Sequence, residues 1–180
     1  MDTSPTSFFE GRFVMEEHAI KILNAHRVMA ISTIRPDGGP QTTIVGYAND
    51  GLLLYFMISR DSQKFANIQR DNRISVAIGQ EPKDLFELEA VYASATASEV
   101  AAPEQRKLAW RLLTERHPNL ADFELPAEGD AALMEAKCEH LSVLDFREGL
   151  GAKNALASAP LETSLTAAAI DRAAGCDTPI

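Results

Sequence analysis

Apolar positions in this chain fall mostly in short alternating or β-branched runs separated by turn residues. Val28–Ile34 is apolar and β-branched and Gln41–Ala48 alternates, so both read as strands. The Arg35-Pro-Asp-Gly-Gly-Pro40 segment between them is a strong turn signal. Asn49-Asp50-Gly51 is a hairpin signal, because glycine supplies the positive φ of a tight turn. Leu52–Ile58, Arg73–Ile78 and Leu141–Phe146 follow as strands. Leu88–Val100 is a longer one, with Ala93, Ala95 and Ala97 on alternate positions.

Helical spacing is confined to three places. Met15–Ala25 turns Ala19, Ile20, Ile22 and Leu23 inward. A short helix from about Ser62 to Arg70 buries Phe65 and Ile68, three apart. A third starts at Pro103, where a missing N–H costs nothing, carries Leu108, Leu112 and Leu113, and stops before Pro118. Residues 79–86 and 118–130 read as irregular, and Ala131–Ala136 as one or two helical turns. Residues 1–14 form a loose arm with Phe8 and Phe9 as anchors. Beyond Leu156 the chain shifts to Ala, Ser, Thr and Pro without aromatics, a tail that is weakly helical over Leu165–Ala174 or flexible. One domain therefore spans residues 15–156, between an arm (1–14) and a tail (157–180). Six strands joined mostly by tight turns, without strict βαβ alternation, predict a mostly antiparallel β-barrel with peripheral helices.

Composition narrows the partners. The 180 residues carry a formal net charge of -9, which argues against nucleic acid, whose backbone needs a basic face. An acidic protein can still hold a local basic pocket for a small anion. Cys138 and Cys176 have no C-x-x-C partner and cannot make a disulfide framework. No charged n-region with an apolar h-region opens the chain, and no apolar run nears the roughly 20 residues of a membrane span. A cytoplasmic protein with reduced cysteines and no membrane partner is expected.

The richest chemistry lies in Tyr55-Phe-Met-Ile-Ser-Arg-Asp-Ser-Gln-Lys-Phe-Ala-Asn-Ile68. An apolar strand runs into a polar corner and a helix then starts. Helix N-termini favour anions, because their first N–H groups lack partners and the dipole is positive there, and Lys64 adds a full charge. These residues read equally as a phosphate site or as a helix capped by Asp61 or Ser62 with a solvated lysine. Cys138-Glu139-His140 is the only tight cluster of metal-type residues. A closed zinc site needs about four ligands and no second pair exists, so no metal is expected. Glu87 and Glu89, two apart on one strand face, are a catalytic pair or a solvated edge. Gly149-Leu-Gly151 lacks a third glycine and a βαβ context, so it is not a dinucleotide fingerprint.

The order of these elements, and above all Gly51-Leu-Leu-Leu-Tyr-Phe-Met-Ile-Ser-Arg-Asp-Ser-Gln-Lys-Phe-Ala-Asn-Ile-Gln-Arg-Asp-Asn-Arg-Ile-Ser-Val-Ala-Ile78, resembles the pyridoxamine 5'-phosphate oxidase-like, FMN-binding split-barrel superfamily. The resemblance covers about residues 15–156, with Asn72-Arg73 in place of a frequent Asn-Pro. It implies a six-stranded antiparallel split barrel and a homodimer binding FMN at the subunit interface. By position, Thr42, Thr43, Ile44 and Val45 would lie along the flavin ring and ribityl chain. Met57, Ile58 and Ser59 would run along the opposite part, and Ser62, Gln63 and Lys64 would hold the phosphate. Arg60 would help the phosphate or face solvent. The strand Leu88–Ala97, rich in small residues, is the candidate for close approach between subunits. Leu141–Lys153 resembles the family's last strand and its turn near the flavin. The vitamin-processing oxidase has a C-terminal Trp…Arg-x-His grip that is missing here, where the one tryptophan is Trp110; pyridoxamine phosphate is therefore not the expected substrate. The resemblance implies an FMN-dependent oxidoreductase working through flavin N5, with no acid or base residue to name. A non-catalytic flavin or haem carrier or sensor, and a deazaflavin-dependent reductase, are the alternatives.

Overall fold

In the computed structural model, residues 5–123, 125, 131–149 and 153–156 are described; the tail from residue 157 lies outside them. The elements are α1 (Pro5–Ala25), β1 (Val28–Ile34), β2 (Pro40–Asp50), β3 (Leu53–Ser59), α2 (Gln63–Arg70), β4 (Arg73–Gly79), β5 (Glu89–Glu99), α3 (Pro103–Arg116), β6 (Ala131–Asp145) and β7 (Lys153–Leu156). Short 3₁₀ turns occupy Leu85–Glu87, Pro118–Leu120 and Phe146–Glu148.

All strand pairs are antiparallel, in the order β3-β2-β1-β4-β5-β6, and β3 also pairs with β6, which closes a six-stranded ring. Closure removes the free sheet edges that a flat sheet would expose. On the edge away from β5, β6 serves two partners in succession: Ala131–Lys137 pairs with β3, and Leu141–Leu144 pairs with β7, a short addition outside the ring. Gly51, at φ +57°, makes the turn between β2 and β3, as the Asp-Gly pair demanded.

The period-two pattern sorts the side chains. Met29, Ile31, Val45, Tyr47, Leu54, Phe56, Ile58, Ile74, Val76 and Val91 point into the barrel, and Ala19, Ile22 and Leu23 of α1 join the same core. A second cluster lies outside the wall, where Ala109 and Leu113 of α3 cover Ala48, Tyr55 and Leu133. This layer buries both faces of part of the wall.

Four expectations are corrected. The helix begins at Pro5, not Met15; Phe13 and Val14 are exposed while Ala19, Ile22 and Leu23 are buried, so the helix runs on beyond the stretch whose apolar spacing announced it. Ala131–Ala136 is strand, not helix. Residues Ala132–Ala136 are all buried, because the barrel interior takes one face and α3 with its neighbours takes the other, and alternation disappears. Within the stretch expected to be irregular, Pro118–Leu120 forms a 3₁₀ turn, and residues 124 and 126–130 lie outside the described residues. Ala93, Ala95 and Ala97 face the barrel interior, so β5 offers its neighbours' side chains, not these small ones, to the outer surface.

The Cys138-Glu139-His140 cluster is dispersed by a bulge. Ala95 pairs with Cys138 and Ser94 with His140, leaving Glu139 as the extra residue. Cys138 turns inward, where burial pushes its thiol up to about 11, while Glu139 and His140 are exposed.

Arg116, at the end of α3, ties the layers together. Its guanidinium donates to the carbonyls of Leu23 (3.1 Å) and His26 (2.7 Å) at the end of α1, and to Asn49 Oδ1 (3.0 Å) on β2. Tyr47 Oη donates to the same Leu23 carbonyl at 2.7 Å, and burial pushes that phenol up to about 12. Orphan carbonyls at a helix end are thus satisfied from two other elements. Arg116→Met keeps the packing stem and removes these bonds. It should lower unfolding free energy by about 2–4 kcal/mol, read in urea as a lower midpoint with an unchanged m-value.

Candidate functional site

The barrel is closed but not evenly laced. β2 pairs with β3 only from Tyr47–Asp50 to Phe56–Leu53. Beyond that point the N-terminal part of β2, Pro40–Gly46, pairs with β1 alone, and Met57–Ser59 of β3 pairs with β6 alone. The two strands part and leave backbone groups facing each other across a split. The chain leaves β3 at the open end of this split and starts α2 there.

The ten residues expected to hold a cofactor lie along this split and its corner. Alternation divides their side chains. Thr42, Ile44, Met57 and Ser59 belong to the outer face, and Ile44 is 66% exposed. Thr43, Val45 and Ile58 face the barrel interior; these three adjoin the split through backbone only. Thr43 Oγ1 is buried without a hydrogen-bond partner.

The corner is ordered by its own serines. Ser59 Oγ accepts from the Asp61 N–H (3.2 Å), Ser62 Oγ donates to the Ser59 carbonyl (2.6 Å), and Ser62 Oγ accepts from Phe65 N–H (3.2 Å). Ser62 is therefore the N-cap of α2, and Gln63 and Lys64 contribute N–H groups that have no acceptor within the helix. Lys64 is half-buried, has no hydrogen-bond or ionic partner among the described residues, and burial lowers its pKa. Among the described side chains the other half-buried cations have partners. Arg60 pairs with Glu99 and stacks 5.2 Å from the Phe65 ring, and its Nε is buried without a hydrogen-bond partner. Arg106 donates to Val100 O, and Arg116 is bound as above.

A polar crosslink spans the split from behind. Asn67 of α2 is fully buried and donates to Thr33 Oγ1 on β1 (2.9 Å) and Gln41 Oε1 on β2 (3.0 Å), while accepting from Gln63 Nε2 (2.9 Å). The helix that begins where β3 ends is thus fastened to β2. Sequence reading missed Asn67 and Gln41; a polar residue at a core position of the helix face was the available signal.

Two other groupings resolve differently. Glu87 lies in a 3₁₀ turn and is exposed, so it does not share a strand face with Glu89. His18, Glu89 and Asp145 bring ligand atoms within 4.8 Å of one another, but Arg147 donates to both carboxylates and holds the Asp145 carboxyl below its ordinary value. Its guanidinium occupies the oxygens a cation would need, and the cluster serves to tie α1 to β5 and β6. Among the described residues no helix is long and apolar enough to cross a membrane.

A closed six-stranded ring opened by one split between adjacent strands is a split β-barrel. The family model for pyridoxamine 5'-phosphate oxidase matches residues 15–145, and the chain belongs to that family. Solved structures of similar fold include a haem-binding protein of Mycobacterium smegmatis (TM-score 0.69, 17% identity, 79% of this chain and 57% of that one). The Vibrio cholerae haem storage protein HutZ is also similar (TM-score 0.60, 18%, 69% and 90%), as is a conserved hypothetical protein of Mycobacterium tuberculosis (TM-score 0.64, 24%, 76% and 89%). The chain spans little more than half of the M. smegmatis protein. No curated protein matches it.

Asn67→Leu, similar in volume, leaves Thr33 and Gln41 without their donor. It should destabilise the fold by about 2–3 kcal/mol, and amide exchange should rise in α2 and the N-terminal part of β2 more than in β4 and β5.

Proposed function

We propose that this protein is an FMN-binding oxidoreductase that works as a homodimer, with the cofactor laid along the β2/β3 split. The observation that carries the reading is Lys64, a half-buried cation with no partner among the described residues, beside N–H groups that lack an acceptor at a helix start. A phosphate monoester meets both needs at once. The unpaired edges of Pro40–Gly46 and Met57–Ser59 offer N–H and C=O groups to the polar edge of a ring, and Ile44 and Met57 offer apolar cover. When bound, a flavin supplies hydride transfer at N5. The chain's own part is to anchor the phosphate through Ser62, Gln63 and Lys64, orient the ring between the strands, and exclude water from it.

The outer sheet face supports dimerisation. Register places Ile44, Ala30, Ala77 and Tyr92 in one row across β2, β1, β4 and β5, beside the row Thr42, Ser32, Ser75 and Ser94. Both rows are uncharged, and Ile44 and Tyr92 are 66% and 45% exposed. On a chain of net charge -9, an uncharged face of four strands suits a two-fold contact. It also adjoins the split, so a partner would cover the cofactor.

A second reading is haem binding on the same barrel. The proteins from M. smegmatis and V. cholerae favour it by what they bind or store, and Lys64 would then pair with a propionate. The absorption spectrum of the protein mixed with each cofactor decides: flavin bands perturbed on binding support the first reading, a shifted Soret band the second.

Lys64→Ala should weaken FMN by roughly 10- to 150-fold, from the loss of one charge-assisted hydrogen bond, and riboflavin much less. The pH dependence has a definite sign. Burial disfavours the charged lysine in the free protein and phosphate favours it, so binding takes up a proton in the alkaline range. Affinity should fall as pH rises through the lowered Lys64 value. It should fall again below about pH 6, where the phosphate loses a charge. Calorimetry on Lys64→Ala should lose the alkaline limb alone. For the dimer, Ile44→Asp should yield monomers in sedimentation at micromolar concentration; a monomeric parent protein would defeat this part of the reading.

A further inference from the structure

The split has an apex, and a cavity sits on it. Tyr47 and Phe56 are the last paired residues of β2 and β3, so Gly46 and Met57 are the first past the ladder. A cavity of about 190 Å³ opens there, lined by Gly46, Met57, Leu113, His117, Asn119 and Leu120. None of these carries a full charge when the imidazole is neutral. His117 follows the end of α3, and its ring lies against the bare backbone of Gly46. A Cβ at Gly46 would stand 3.1 Å from the ring Cε1 and 3.2 Å from Nε2. Glycine therefore lets the imidazole reach β2, where Nε2 is 3.1 Å from the Tyr47 carbonyl oxygen. A carbonyl only accepts, so Nε2 carries the proton and Nδ1 is left as an acceptor. No described residue donates to it.

We propose that this cavity recognises the amide edge of an uncharged planar heterocycle, with His117 Nδ1 accepting from its N–H and the Asn119 side chain meeting its carbonyl. Met57, Leu113 and Leu120 supply apolar cover for such a ring, and the lining has no counter-ion for a charged ligand. The edge has two possible sources, the ring of a cofactor anchored at Lys64 or a separate small substrate. Only the first rests on the FMN reading.

The test uses nicotinamide as the neutral probe and nicotinate as the charged control, titrated into the full chain and followed by backbone amide NMR. Nicotinamide should shift the Gly46, Tyr47 and Asn119 signals saturably, and nicotinate should not. His117→Phe keeps a ring but removes Nδ1, and Asn119→Ala alters an exposed position with little risk to folding. Each should weaken nicotinamide by roughly 2- to 10-fold. With FMN bound, displacement of nicotinamide assigns the cavity to the cofactor's ring edge, and simultaneous binding assigns it to a substrate; both uphold the recognition. Equal shifts with nicotinate, no shifts in the free protein, or no effect of either substitution would overturn it, whatever FMN does. Nicotinamide shifts in a protein that binds no FMN would uphold the cavity and remove the cofactor reading.

Discussion

Everything distinctive in this molecule depends on where the hydrogen-bond ladder between β2 and β3 stops. A barrel wall is stable because each backbone N–H and C=O is paired with a neighbour. Here the pairing ends at Tyr47 and Phe56, and the two strands go on with one partner each. The barrel survives because β3 is held by β6 over its full length, from Leu53 to Ser59, and β2 is held by β1 from Pro40 to Gly46. The opening is therefore a local loss of pairing inside a ring that is closed elsewhere, and its width is fixed by what packs around it.

Two elements fix that width by different physics. On one side α2 starts directly from the end of β3, and its buried Asn67 reaches Thr33 and Gln41. A buried amide with all its partners is directional, so it sets a distance as well as a contact. On the other side α3 lies on the outer wall through apolar contacts of Ala109 and Leu113, then stops at His117. On the outer face of the neighbouring strands Ile44 and Tyr92 remain 66% and 45% exposed.

Charge placement follows the same geography. The chain is acidic as a whole, yet the half-buried arginines among its described side chains have partners inside the fold: Arg60 in Glu99, Arg106 in Val100 O, Arg116 at the end of α1. Lys64 has no anionic partner among the described residues and sits at a helix start, where the field is already positive. Its lowered pKa records the cost of burying that charge alone.

Local chemistry in the sequence was enough to determine β1 to β5, the turn at Gly51 and the start of α2 near Ser62 beside Lys64, because period-two alternation, Asp-Gly and a polar residue at a helix start act within a few residues; that Ser62 and not Asp61 caps the helix was decided by the turn itself. Ala131–Ala136 was not legible: its two faces are buried by different layers, and without alternation Ala, Leu, Met and Glu read as helix. The phase change at Glu139 likewise belongs to the pairing with β5, since a bulge is a property of two strands. That Ala93, Ala95 and Ala97 fill the barrel depends on which face the ring turned inward. Thr42 and Thr43 look alike in sequence, but the pleat sends one outward and the other into a buried place without a partner. His117 gave no sign of a role, because its neighbours Gly46 and Tyr47 lie about seventy residues away along the chain and only the closure of the barrel, with α3 laid across it, brings them to one point.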